Sequence, residues 1–274
     1  MGNNLIFALI LTILAGLSTG IGSAIAYFIR TPKYSYLAVM LGFSAGVMIY
    51  ISFIELLVKA INDVGFATAN IAFFVGILFI AVIDILIPHE YEEEHSKSIR
   101  PATGEAVQQK RAGLSSQLTA APQSSLMRAG NFIALGIAIH NFPEGVVTFF
   151  SAATGNVAFG VMIAIAIALH NIPEGIAVSV PIFYATGSRR RAFAYSFLSG
   201  LAEPVGALIC YGIMLPFLTP TLLSSLLAFV AGIMVYISLD EILPLAYRYG
   251  REHLVLIGLG IGMLIMAISL FLLK

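Results

Sequence analysis

The chain has 274 residues, of which 59% are hydrophobic and only 10% charged, 14 basic against 14 acidic. A soluble domain carries roughly a quarter charged residues, so the composition excludes a soluble enzyme and a disordered chain, and zero net charge without a basic face excludes a nucleic-acid binder. A single cysteine, Cys210, excludes a disulfide framework and a thiolate metal cluster.

Apolar runs of about 20 residues can cross roughly 30 Å of hydrocarbon. Eight such runs follow one another, at 5–29, 35–58, 68–88, 130–152, 158–180, 192–216, 222–245 and 254–273. They are uniformly apolar, whereas barrel strands would alternate. Nothing basic precedes the first run except the terminal amine, and it is too long for the apolar part of a signal peptide, so it reads as a span. The sequence thus predicts an all-α polytopic membrane protein with eight transmembrane helices.

Basic residues mark the cytoplasmic side of a membrane. Arg30 and Lys33 lie between spans 1 and 2, and Lys97, Arg100, Lys110, Arg111 and Arg128 between spans 3 and 4. Arg189, Arg190 and Arg191 lie between spans 5 and 6, and Arg248 and Arg251 between spans 7 and 8. Only Lys59 and Lys274 fall on the other side. Both termini are therefore expected outside the cytoplasm. The chain divides into 1–88 (spans 1–3), a flexible cytoplasmic loop at 89–129, 130–188 (spans 4 and 5) and 189–274 (spans 6–8). The loop opens with HEYEEEH, so His89 and His95 with the glutamates between them form either a weak metal contact or a plain solvated flank.

Internal repeats organise the spans. AGVMIYISFIELL at 45–57 and AGIMVYISLDEIL at 231–243 share 8 of 13 positions at an offset of 186. LAGLSTGIGSAIAYFI at 14–29 and LSGLAEPVGALICYGI at 198–213 share 7 of 16 at an offset of 184. Residues 76–86 and 262–272 match more weakly. Spans 4 and 5 repeat IHNFPEGV (139–146) as LHNIPEGI (169–176), 30 residues apart. Spans 1 and 6 are five apart and spans 4 and 5 one apart, and an odd separation reverses direction through the membrane. A 3+2+3 inverted-repeat arrangement follows, which is a recurrent device of secondary transporters.

Seven of the fourteen acidic residues lie inside or at the ends of spans: Glu55, Asp84, Glu144, Glu174, Glu203, Asp240 and Glu241. Charge in hydrocarbon needs a partner or a water-filled path, and the spans offer almost no basic partner. A bound cation is the natural counter-charge. His140 and Glu144 are four residues apart on one helix face, as are His170 and Glu174, and Asn141 and Asn171 add amide oxygens. Pro143 and Pro173 release the carbonyls four residues back. Pro204 does the same beside Glu203. Imidazole with carboxylate suits zinc, iron(II), manganese, cobalt or nickel better than calcium or magnesium. Asp84, Asp240 and Glu241 sit near span ends, where they are either exit-path ligands or interfacial charges. The repeat pairs Glu55 with Glu241, which leaves ligation and a structural role both open.

HNFPEG on span 4 and HNIPEG on span 5, within 3+2+3 spans and with a histidine-containing loop after span 3, resemble the ZIP (Zrt/Irt-like) divalent metal transporters in their bacterial branch. The resemblance covers essentially the whole chain. It implies uptake of divalent metal into the cytoplasm through a binuclear site between spans 4, 5 and 6. It implies that His140, Glu144, His170 and Glu174 form one metal position, with Glu55 as its remaining ligand. It implies that Asn141, Asn171, Glu144, Glu174 and Glu203 form the second, with Glu144 and Glu174 bridging. Zinc or another divalent ion is then the substrate and no cofactor is expected. The expected partners are divalent ions, the lipid bilayer of a bacterial inner membrane and a second copy of the chain in a homodimer, with no nucleic acid. The loop has few histidines for the family, which weakens a loop sensing role. Two other readings use the same residues. An intramembrane zinc hydrolase needs His and Glu ligands with an open water position, but no HExxH occurs. A cation channel also uses intramembrane carboxylates, but a duplicated His/Asn/Glu set favours tight binding over fast conduction.

Overall fold

The computed structural model describes residues 2–29, 33–86, 123–154, 157–214, 217, 219–249 and 251–273. Every regular element among them is helical. In chain order these are α1 (Gly2–Phe28), α2 (Tyr34–Ile51), α3 (Leu57–Val64), α4 (Phe66–Leu86), α5 (Gln123–Thr154), α6 (Val157–Thr186), α7 (Arg189–Gly200), α8 (Ala202–Ile209), α9 (Pro220–Ile237), α10 (Leu243–Tyr249) and α11 (Glu252–Leu273). A π-helical turn at Ser52–Leu56 joins α2 to α3, one at Ser238–Ile242 joins α9 to α10, and a third, Cys210–Met214, follows α8. Joined in this way, the helices give eight stretches long and apolar enough to cross a membrane.

These stretches coincide with the eight apolar runs, but their ends move. The second reaches Val64 and the fifth Thr186, and the helix of the fourth starts at Gln123. A helix stops at a breaker or a cap, not where the hydrocarbon ends. Gly65 (φ 83°) terminates α3 and Gly187 (φ 64°) follows α6, both in the left-handed region that favours glycine. Ser188 caps α7 by accepting from Arg191 N at 3.4 Å, and Thr219 caps α9 by accepting from Leu222 N at 3.1 Å ahead of Pro220.

Two groups of helices form the bundle. α1, α5, α6 and the α7–α8 pair pack on one another, while α2 lies along α11 and α4 along α9. α2 and α11 also touch α6, and α9 touches α5, which joins the groups. Without a hydrophobic drive between helices in lipid, close backbone approach holds such pairs. A Cβ at Gly46 would run into the carbonyl of Leu259, and one at Gly232 into the carbonyl of Phe73. Gly262 against Phe43 and Gly76 against Phe229 repeat the pattern. Each contact maps onto its fellow at an offset of 186, and so do the π turns after α2 and α9. α4 and α11 leave Phe74, Leu78, Leu264 and Phe271 exposed, as helices facing lipid do.

The turns after α1, α6 and α10 meet at one end of the bundle. Tyr34 stacks on Tyr249 at 5.4 Å and touches Tyr184 at 6.2 Å. Tyr184 Oη donates to the Lys33 carbonyl at 2.8 Å, and Arg189 Nη2 donates to the Ile29 carbonyl at 2.8 Å. Elsewhere, Asp63 at the end of α3 accepts from Lys59 Nζ at 3.1 Å and from Ser224 Oγ of α9 at 2.6 Å.

Candidate metal centre

α5 and α6 carry their prolines, Pro143 and Pro173, inside the helix. The polar residues around these prolines face the middle of the first helix group. His140, Asn141, Glu144, His170, Asn171, Glu174 and Glu203 are each at most 4% exposed. Glu203 arrives in the first turn of α8, just after the break at Leu201 that separates α7 from α8. Gly145 lets it come close, because a Cβ there would collide with the Glu203 carbonyl.

The histidines and glutamates pair crosswise between the helices. His140 Nε2 lies 2.9 Å from Glu174 Oε1, and His170 Nε2 lies 2.6 Å from Glu144 Oε1. Each Nδ1 sits beside the carbonyl four residues back, Gly136 at 3.2 Å and Ala166 at 3.1 Å. A carbonyl only accepts, so it assigns the Nδ1 proton and leaves the Nε2 lone pair aimed at a carboxylate. Two acceptors at such a distance need a proton or a cation between them. The ligand atoms of His140, Glu144 and Glu174 all lie within 4.8 Å of one another, which one ion can span.

Further oxygens converge beside this pair. Asn171 Nδ2 donates to Glu203 Oε2 at 2.7 Å and to the Ala15 carbonyl of α1 at 2.9 Å. Glu144 Oε2, Asn171 Oδ1 and Glu203 Oε1 are buried without a hydrogen-bond partner among the described residues. Buried oxygens of this kind are costly unless satisfied, and a divalent cation satisfies several at once. Asn141 points the same way. With Nδ2 donating to the Ser199 carbonyl at 3.4 Å, its Oδ1 faces only acceptors, among them Glu174 Oε2 at 3.2 Å and His140 Nε2 at 3.0 Å. A cation stabilises that orientation, and without one the amide gains by turning over. Two imidazoles, three carboxylates and two amides fit zinc and its borderline neighbours in the first transition row.

The other candidates separate from this group. Asp84 of α4 meets Asp240 and Glu241 of the π turn after α9, with ligand atoms within 4.8 Å, and Tyr236 Oη donates to Asp84 Oδ2 at 3.0 Å. Glu55 is half-buried in the π turn after α2, beside α9, and joins neither group. His89 and His95 lie outside the described residues. The sequence does not single out Tyr236, whose one signal is its place four residues before Asp240. Nor does it single out Ser44, a small polar residue in an apolar span, whose Oγ donates to the Pro173 carbonyl at 2.7 Å and ties α2 to α6.

Comparison with known proteins shows what the chain is similar to. The profile of the family described as ZIP Zinc transporter matches residues 86–270. The zinc transporter ZupT of Nitratidesulfovibrio vulgaris is 53% identical over 277 aligned positions, covering 98% of both chains. Those of Lysinibacillus sphaericus and Clostridium perfringens are 51% and 49% identical, the first covering 100% of both chains and the second 98% of this chain and 97% of its own.

Proposed function

Because the chain belongs to the ZIP zinc transporter family, we propose that it carries divalent transition-metal ions, zinc first among them, across a bacterial inner membrane into the cytoplasm. The observation that carries this reading is the crosswise pairing of His140 with Glu174 and His170 with Glu144, buried between two helices that each contain a proline. The two histidines and two glutamates hold one ion. Asn141, Asn171 and Glu203 hold a second, with Glu144 and Glu174 bridging, and the unpartnered Glu144 Oε2 and Glu203 Oε1 support that assignment. Glu55, in the π turn after α2 and beside α9, is the further candidate ligand of the first ion.

The metal is cargo. An entering ion exchanges hydration water for imidazole nitrogen and carboxylate oxygen, and release requires that exchange to reverse. Protons compete for the same Nε2 and carboxylate atoms, so proton traffic accompanies binding and release. Relatives of about half identity named zinc transporters support transport over intramembrane hydrolysis, and zinc over its neighbours. The basic residues of the turns after α1, α6 and α10 orient the chain with those turns in the cytoplasm and both termini outside. The contacts that recur at an offset of 186 support spans 1–3 and 6–8 as inverted copies. The exposed apolar faces of α4 and α11 meet lipid or a second copy of the chain.

Uptake into proteoliposomes tests the reading, with zinc, iron(II) and manganese in separate runs and wild type beside Glu174→Ala. Saturable zinc uptake is expected for wild type, with less than about a tenth of it in the variant, which loses a carboxylate that serves both ions. No uptake of any metal by a folded wild type would sink the proposal.

A further inference from the structure

Two offsets relate the helices around the buried site, 30 residues between α5 and α6 and 184 between α1 and the α7–α8 pair. The contacts obey both offsets together. A Cβ at Gly145 would meet the carbonyl of Glu203, and one at Gly175 would meet the carbonyl of Thr19. Gly206 stands against Phe142 as Gly22 stands against Ile172. Asn171 Nδ2 donates to the Ala15 carbonyl as Asn141 Nδ2 donates to that of Ser199. A Cβ on Gly16 would come within 2.9 Å of the Gly200 carbonyl, and one on Gly200 within 2.8 Å of the Gly16 carbonyl. These pairs are what a two-fold relation produces, and it puts Thr19 of α1 in the place that Glu203 occupies on α8. One half of the site thus presents a carboxylate beside Asn171, and the other presents a hydroxyl on the side of Asn141.

The hydroxyl itself supplies an independent observation. A serine or threonine inside a helix ordinarily donates to the carbonyl four residues back. Thr12 does so to Ala8, Ser23 to Thr19, Thr148 to Glu144 and Thr186 to Ile182. For Thr19 that acceptor is the Ala15 carbonyl, which already accepts from Asn171 Nδ2 at 2.9 Å and from Ser18 Oγ at 2.6 Å. Thr19 Oγ1 is left fully buried with no hydrogen-bond partner among the described residues. It lies against Gly200, where an added Cβ would come within 3.0 Å of it, next to the Ser199 carbonyl that Asn141 reaches. A buried, unpaired hydroxyl is costly to keep, and its oxygen has lone pairs to offer a ligand.

We propose that Thr19 is a specificity-determining residue of the transport site, its hydroxyl giving a neutral oxygen to the divalent cation on the Asn141 side where Glu203 gives a carboxylate on the Asn171 side. This rests on the reading of the buried group as the transport site. A carboxylate in both places would add negative charge and hard oxygen, which favours ions such as manganese or calcium. The hydroxyl lowers the charge of one half. That half holds an ion more weakly, and imidazole keeps the larger share of selectivity.

Zinc and manganese uptake into proteoliposomes, read as KM and maximal rate, tests this with Thr19→Val, Thr19→Ala and Thr19→Ser beside wild type and Glu174→Ala. Valine keeps the shape and removes the oxygen. Thr19→Val and Thr19→Ala are expected to raise the zinc KM about five- to tenfold, the size of one lost contact to an ion. Thr19→Ser should stay within about twofold of wild type, since it keeps the oxygen. The melting temperature of purified Thr19→Val should hold or rise, because the hydroxyl has no bond within the fold to lose. An unchanged zinc KM in Thr19→Val and Thr19→Ala, with Glu174→Ala inactive, would overturn the role of Thr19 and leave the transport site standing. A fall in the melting temperature of Thr19→Val would also overturn it, by showing the hydroxyl bonded inside the fold. An inactive wild type would sink the reading of the site itself.

Discussion

His140 and His170 gain their chemistry from what stands opposite them. Each ring is fixed by a carbonyl on its own helix and confronted by a glutamate on the other. Replacing either by alanine removes a nitrogen from the proposed ligand set and strands the facing carboxylate. His140→Ala and His170→Ala should each raise the half-saturating zinc concentration at least tenfold, about 1.4 kcal/mol. If both rings serve one ion, as proposed, the double variant should fall short of the product of the two effects. Initial rates of zinc uptake measure this, and wild-type behaviour in either single variant would remove that ring from the ligand set. Much of the candidate site was legible in the sequence, because a charged residue in hydrocarbon has almost no bland place to be. The crosswise pairing was not legible. Spacing of four residues says which side chains share a face, not which glutamate a ring meets across the interface. Thr19 was hidden for another reason: hydroxyls are common in spans, and it takes the contacts that equate Thr19 with Glu203, together with the occupied carbonyl at Ala15, to set this one apart.

Helices pack here through glycines whose missing side chains admit a neighbouring backbone. At Gly232 a Cβ would collide with the Phe73 carbonyl, whereas at Gly260 of α11 nothing lies within 4 Å. The obstacle at Gly232 is backbone and cannot swing aside, so α9 and α4 must separate. Gly232→Ala should therefore cost about 1–3 kcal/mol, the usual size of overpacking. Gly260→Ala should leave stability unchanged or slightly raised, since alanine is the better helix former. Melting temperatures in detergent compare the two, and equal temperatures would mean that α4 and α9 are not held by close approach at Gly232. The existence and order of the eight spans were legible from composition alone. Their ends were not, because Gly65, Gly187, Ser188 and Thr219 decide where helices stop. The π turns at Ser52–Leu56 and Ser238–Ile242 were equally hidden, since an extra residue per turn leaves the hydropathy of a span unchanged. That the two occur at equivalent places of the repeat, each with acidic residues in it, marks them as features of the duplicated unit.

Direction of transport is a property of the whole molecule, because a site with two similar halves has no inherent inside. What breaks the tie is the distribution of basic residues. The turns that carry Lys33, Arg189 and Arg251 gather around Tyr34, Tyr184 and Tyr249. Asp63 with Lys59 belongs to the turn after α3, at the far end of the second span from Tyr34. The single cysteine helps here. Cys210 is buried, so Cys210→Ser gives a background in which one introduced thiol reports alone. Asn62 and Arg251 are both exposed and stand at opposite ends of the bundle. With the basic end in the cytoplasm, a membrane-impermeant maleimide should label Asn62→Cys in intact spheroplasts and Arg251→Cys only after lysis. The reverse pattern would put both termini in the cytoplasm and turn the site around, so that the half carrying Glu203 and the half carrying Thr19 would exchange sides. Labelling of both positions in intact spheroplasts would remove an odd number of spans from between them and break the parity on which the inverted repeat depends.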